Sequence, residues 1–385
     1  MAELTKQEML RIVDENISRL KNKDFNLYFF VLDTKGNPTS SLEYIYQTAL
    51  VLHKKGYNVS LLHQENDFVG VRDWLGDEYA NLPHFNIEKD NVEITPSDFI
   101  FIPEIFANVM MQTKKLPCKR VVLVQNYNHI TEFMPVSQTY ENLNITDVIV
   151  TTKVQEEKVK SWFPHIRTHI VSPSIKKMFR KNTEPKKLIV NVIAKDQSIV
   201  NQIVKPFYWK NPLYKWVSFR DLRGVNQETF CEALREGAIT IWADDTTNFG
   251  LTLLEALRCG GVVVAKVPNN LSDWMIDGDN ITDSVLWFDN LDDVPNVLTT
   301  LVRSWTTDTI PEDVYYGQEK FNDLYSEDTQ EKEIEEVYVK GLIERRLKEF
   351  EETKIEFNGQ TRILCEEFQV VYDCTTTYQK ISSPL

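Results

Sequence analysis

The stretch from Phe249 to Ala265 constrains the fold most. Phe249-Gly250 is a flexible entry, Leu251, Leu254 and Leu257 follow at helical spacing, and Gly260-Gly261 stops the helix before the β-branched run Val262-Val263-Val264. This reads as a short helix feeding a buried strand, with the helix N-terminus pointing out of a sheet edge. Such a unit is at home in any α/β protein, so its polar lead-in, Asp244 to Asn248, matters for what it does.

Backbone N–H groups at Gly250, Leu251 and Thr252, with the positive end of the helix dipole, make a site for phosphate. Asn248, Thr252, Glu255 and Cys259 fall on one stripe of the same helix. Glu255 would repel a phosphate, but an acceptor-only carboxylate one turn behind it can take both hydrogens of a ribose diol. The implied ligand is a nucleotide diphosphate.

The run Asn248-Phe249-Gly250-Leu251-Thr252-Leu253-Leu254-Glu255-Ala256-Leu257-Arg258-Cys259-Gly260-Gly261, with the valines after it, resembles the donor segment of family 4 glycosyltransferases. The likeness carries over at Phe249, Gly250, Glu255, Ala256, Cys259 and Gly260; the glutamate with which that family contacts the donor sugar falls on Thr247, and the glycine after it on Asn248. The resemblance implies an α/β protein of GT-B type, two Rossmann-like domains facing across a cleft. It also implies a retaining, metal-independent transferase that uses a nucleotide sugar and needs no other cofactor. Thr247 can still hydrogen-bond a sugar but brings no charge, so Asp245 or Asp244 is expected to reach in instead.

A chain of 385 residues fits two domains of common size, and 42% hydrophobic residues are ample for two cores. No apolar run is long enough to span a bilayer, and the stretch from Met1 to Lys23 lacks the apolar centre of a signal peptide. The five cysteines, Cys118, Cys231, Cys259, Cys365 and Cys374, are widely and irregularly spaced; they read as reduced thiols of a cytoplasmic protein with no structural zinc. A net charge of −14 argues against a broad polyanion-binding face while leaving room for a local basic groove.

In chain order, residues 1–24 form a leading helix and residues 25–173 a first Rossmann-like domain on the acceptor side. Leu27–Leu32 is its first strand, Asp33–Thr39 a turn-rich loop, and Ser40 with Glu43 has capping-box spacing ahead of a helix that closes at Gly56. Asn58–Leu62 is the next strand. Gly36, with Asn37 and Ser40, sits where a doubly wound sheet receives ligand. Further strands are expected at Phe99–Ile102, Val121–Val124 and Asp147–Val150. Gln125, Asn126, Tyr127 and His129 follow the second of these, where His129 could bind or deprotonate an acceptor hydroxyl.

Residues 174–310 are expected to form the nucleotide-sugar domain, opening with the strand Leu188–Ile193 and then Lys195. Lys195 stands where the family has an arginine, but Val200 occupies the place of its lysine. A diphosphate in a low-dielectric cleft needs cations, and Arg220 and Arg223, after a strand at Trp216–Phe219, are candidates, with Lys266 a weaker one. The basic and aromatic alternation of Lys205–Trp216 is read as core, with nucleic-acid contact as the alternative. Leu271–Ile276 and Val285–Phe288 are expected to finish the sheet.

Residues 311–352 are expected to be helices bracing the first domain, and 353–385 a β-rich appendage built on a hairpin around Asn358-Gly359, a possible homo-oligomer contact. The acceptor is expected to be a glycan or another hydroxyl compound. DNA bases, as in viral base-modifying transferases, are a less favoured acceptor, and a catalytically silent GT-B scaffold is the alternative to an enzyme.

Overall fold

The computed structural model describes residues 6–244, 249–307, 309, 321 and 324–359. The chain divides into two compact units: one holds the chain up to Arg72, Gly76–Val171 and the part from Glu331 onward; the other holds Ser172–Gln330 with Asp73–Leu75.

The first unit carries a parallel sheet of seven strands: β1 (Asn26–Phe30), β2 (Asn58–His63), β3 (His84–Asn86), β4 (Phe99–Pro103), β5 (Lys119–Val124), β6 (Asp147–Val150) and β7 (Arg167–Ile170). The spatial order is β3-β2-β1-β4-β5-β6-β7. Runs such as Phe99–Pro103, buried at every position, are what a parallel sheet covered on both faces requires. Its helices are α1 (Lys6–Lys21), α2 (Ser40–Lys54), the one-turn α4 (Asp77–Ala80), α5 (Ala107–Gln112), α6 (Tyr127–Phe133) and α7 (Lys153–Trp162), while the one-turn α3 (Arg72–Leu75) falls, past Arg72, in the other unit. The cap of α2 is Thr39, whose hydroxyl accepts the Leu42 N–H, one residue before the expected Ser40; Glu43 is buried and accepts from Gln47 rather than closing a capping box.

The terminal helix runs from Glu327–Ile334 through a π-helical stretch, Glu335–Glu344, into Arg345–Gly359. The π turn shifts the buried stripe so that Tyr338 lies against the first sheet, its ring 5.0 Å from Phe101 and 6.2 Å from Phe29. Further along, the helix packs on α1 through ion pairs of Lys354 with Asp14 and Glu351 with Lys21. The leading helix is therefore part of the first unit. Residues 355–358, expected as a strand, are helical, because the helical ladder and its contacts with α1 override a local alternation. The partner strand after Gly359 and the expected strand at Phe368–Tyr372 lie outside the described residues.

Asp147 pins this unit together. Its fully buried carboxylate meets Lys119 of β5 at 2.9 Å, Arg167 and His169 of β7 at 3.1 and 3.0 Å, and Arg345 of the terminal helix. Burial alone would raise that carboxyl; the bonds from His169, Arg167 and Lys119 outweigh it and hold the group well below the usual carboxylate range.

The second unit has a five-stranded parallel sheet of β8 (Lys187–Ile193), β9 (Ser218–Asp221), β10 (Gly237–Trp242), β11 (Val262–Lys266) and a last strand at Leu286–Phe288, with α8 (Gln197–Lys210), α9 (Gln227–Glu236), α10 (Leu251–Arg258) and α11 (Val294–Thr306) between and after them. Its order is Leu286–Phe288, β11, β10, β8, β9. Leu271–Ile276 does not join it: the segment is a 3-10 turn that puts Trp274 and Met275 into the core, followed by a two-residue hairpin, β12 (Ile276–Asp277) with β13 (Asn280–Ile281). The strand at Leu286–Phe288 is accordingly β14.

Candidate functional site

In the second unit the chain enters at β8, steps to β9 on one side, then crosses back to β10 on the other. Loops leaving the carboxyl ends of β8 and β10 therefore diverge, and such a switch point is where open α/β sheets take ligands. Two charges bridge it: Lys195 Nζ, after β8, lies 3.4 Å from Asp244 Oδ1, after β10. Asp196, next to Lys195, caps α8 by accepting the Ser198 and Ile199 N–H groups, which hold its carboxyl below the usual range.

Arg223, after β9, reaches the start of α8: its Nη2 donates to Gln197 Oε1 at 2.6 Å, and its fork grips both oxygens of Asp221. Arg220 goes the other way. Its guanidinium is 2.7 Å from Glu236 Oε2, just ahead of β10, and Glu236 also pairs with Lys187 at the start of β8. Arg220 lies within β9, level with Asn191 of β8, and its guanidinium turns away from the carboxyl ends of the strands to neutralise a helix-end carboxylate. Lys266 is likewise occupied, donating to the Asp289 carbonyl.

Helix α10 starts beyond the carboxyl end of β10. Gly250 caps it with φ of 74°, in the left-handed region, and a Cβ there would stand 2.5 Å from Met275 Cε and 3.1 Å from Trp274 Cζ2. Only glycine satisfies both demands. The Trp274 indole donates to the Phe249 carbonyl at 2.6 Å, and Phe249 meets Tyr325 edge-on at 5.2 Å, so the entry turn is held from two sides. The Leu253 and Leu254 N–H groups already bond the Gly250 carbonyl, whereas those of Leu251 and Thr252 bond no described residue. Leu251 is buried and contributes only its backbone; Thr252 is half-buried, and Glu255, one turn on, is 5% exposed. Asp245, Thr247 and Asn248 lie outside the described residues.

The first unit has its own switch point, between β1 and β4. Gly36, at φ of 79°, turns the loop after β1, and Asp33 ties that loop to the one after β2 by accepting the N–H groups of Lys35 and Val69. After β4 comes Glu104, a residue that the spacing of motifs did not single out. It is 4% exposed, and its Oε1 accepts the Asn126 N–H at 2.8 Å and lies 3.3 Å from His129 Nδ1. Asn126 caps α6, which carries His129, by accepting the Asn128 N–H. The bond to Glu104 raises the His129 pKa above its usual 6.5 against the opposing effect of burial. Gln125 is used structurally, donating to the Ser41 carbonyl, and Tyr127 packs edge-on against Trp162. A charged residue immediately past a buried strand was the one signal for Glu104.

Among the described residues no cluster of three metal-ligating side chains occurs, and no helix is long and apolar enough to cross a membrane.

No family model matches the chain, and no curated protein matches its sequence. Solved structures do. Sucrose-phosphate synthase from Thermosynechococcus elongatus superposes with a TM-score of 0.56 at 12% identity, over 81% of this chain and 98% of that one. A glycosyltransferase from Rickettsia africae gives 0.56 at 11%, over 82% and 97%. The catalytic domain of starch synthase IV from Arabidopsis thaliana, bound to ADP and acarbose, gives 0.54 at 10%, over 84% and 99%. With its parallel sheets of seven and five strands, the chain has the two-domain GT-B fold of these glycosyltransferases.

Proposed function

We propose that the chain is a glycosyltransferase that moves a sugar from a nucleotide diphosphate donor to an acceptor hydroxyl, with retention and without a metal ion. The observation that carries the reading is the start of α10 beside Lys195: a glycine-capped helix N-terminus and a cation at one topological switch point. The Leu251 and Thr252 N–H groups and Lys195 would hold the diphosphate, and Glu255 would take the ribose hydroxyls. As the bond from the anomeric carbon to the phosphate oxygen breaks, that oxygen gains charge, and the same donors stabilise it. Arg223, paired with Asp221, is the second cation on this edge; Arg220 has no part in it.

In the first unit, the His129–Glu104 pair would receive the acceptor hydroxyl. Glu104 orients the ring through Nδ1, and Nε2, 3.4 Å from Asn126 Nδ2, would exchange that contact for the hydroxyl. Incubating the purified protein with UDP-, GDP-, ADP- and dTDP-sugars and following nucleotide release tests the reading. Release from one donor, lowered in Lys195→Ala, supports it.

Thr247, in place of an expected glutamate, favours one alternative, a silent scaffold that binds nucleotide without turnover. Tight nucleotide binding with no sugar transfer to any acceptor would select it.

A further inference from the structure

The basic and aromatic segment expected to be core is only half so. Phe207 is fully buried, Tyr208 donates to the Val217 carbonyl at 2.6 Å, and Phe207 meets Phe219 edge-on at 5.3 Å. Asn211 locks the turn by donating to the Phe207 carbonyl and to Thr299 of α11. This inner set holds out an outer one: Trp209 is 74% exposed, Leu213 87% and Trp216 56%. Elsewhere on the described surface exposed large apolar side chains stand singly or, as Phe133 with Val136, as a close pair, but here three fall within eight residues.

The charge around them is one-sided. Residues 197–219 contain Lys205, Lys210 and Lys215 and no acidic residue, in a chain of net charge −14. All three lysines are exposed; Lys205 and Lys215 pair with no described residue, and Lys210 donates only to the Asn296 side-chain carbonyl. Helix α11, which packs on α8, adds Arg303 and no carboxylate; Asp292 and Asp293 stand on the turn ahead of it.

We propose that the Trp209–Trp216 turn docks this unit on an anionic lipid surface. Tryptophan settles at the boundary between headgroups and acyl chains, an exposed leucine gains by leaving water there, and lysines flanking them meet the phosphates. Charge complementarity selects an anionic partner, and Leu213 selects a bilayer over a nucleic acid: the most protruding side chain of the turn has no ring face on which a base could stack. The inference is independent of sugar transfer.

Co-sedimentation of the full chain with vesicles of phosphatidylcholine alone, and of phosphatidylcholine with phosphatidylglycerol, tests it. Binding is expected only to the anionic vesicles. The triple variant Trp209→Ser, Leu213→Ser, Trp216→Ser should lower partitioning about ten-fold or more, and Lys205→Gln, Lys210→Gln, Lys215→Gln should weaken it and remove its salt dependence. Unchanged melting temperatures in both variants would show that the turn acts through its surface. No binding to anionic vesicles, or equal binding by the serine variant, overturns the proposal. So does a single-stranded oligonucleotide or a second copy of the chain that occupies the turn instead, seen as binding or dimerisation lost in the serine variant while vesicles are ignored.

Discussion

Lys195 Nζ lies 3.4 Å from Asp244 Oδ1, and the two residues leave adjacent strands at the point where the strand order of the second sheet reverses. Half the lysine side chain remains exposed, so the pair holds the ammonium in place without hiding it. In the proposed reading this cation would be shared with an incoming diphosphate.

Replacing Lys195 by alanine should therefore weaken nucleoside diphosphate binding by about ten-fold while leaving stability almost unchanged, since an exposed ion pair contributes little to folding. Calorimetric titration beside a thermal melt checks both halves. The same test on Arg220→Ala should leave nucleotide affinity unaltered, because its guanidinium is spent on Glu236 at the opposite edge.

The His129–Glu104 contact predicts a pH signature. Glu104 raises the His129 pKa, so the imidazolium persists above pH 6.5 in the folded chain. Its stabilisation is fully present below the unfolded value and is lost as pH rises through the folded one. In Glu104→Gln the midpoint of the His129 ring signals, followed by NMR, should fall; an unchanged midpoint would mean that Glu104 does not set it.

Asp147 works in the opposite sense. Its carboxyl is depressed by His169, Arg167 and Lys119, so its contribution is complete above the unfolded pKa near 3.8 and is lost as pH falls below it. Asp147→Asn should cost about 3 kcal/mol at neutral pH, because three cations and a histidine lose their shared anion. Denaturant titrations at pH 7 and pH 3 should show the variant closing on the wild type at the lower pH.

Gly250→Ala should cost about 2 kcal/mol through the left-handed backbone alone. The added methyl also meets Met275 and Trp274, so nucleotide affinity should fall with stability. Thermal melts with and without nucleotide separate the two effects.

Most strands of both sheets are legible in the sequence, because a parallel strand buried on both faces must be a continuous apolar run, as Val121–Val124 and Val262–Ala265 are. Gly250 and Gly260 are legible for a similar reason: both have positive φ at the two ends of α10. What is not legible depends on where a side chain goes after it leaves its strand. Arg220 and Arg223 look alike in the sequence, and only the fold sends one to Glu236 and the other to Gln197. Glu104 and His129 meet because β4 and β5 are neighbours, a fact of sheet order rather than local pattern. The π turn at Glu335–Glu344 left no signature, and the exposure of Trp209 and Trp216 runs against the ordinary preference of aromatics for the core.

The central claim is that α10 holds a nucleotide diphosphate, with Glu255 on the ribose. Isothermal titration of UDP, GDP, ADP and dTDP into the wild type and into Glu255→Ala measures it directly. The account predicts tight binding of one nucleotide and a loss of about ten-fold or more in the variant, with the fold intact by circular dichroism. Equal affinity in the two proteins, or no binding of any nucleotide to the wild type, would contradict it.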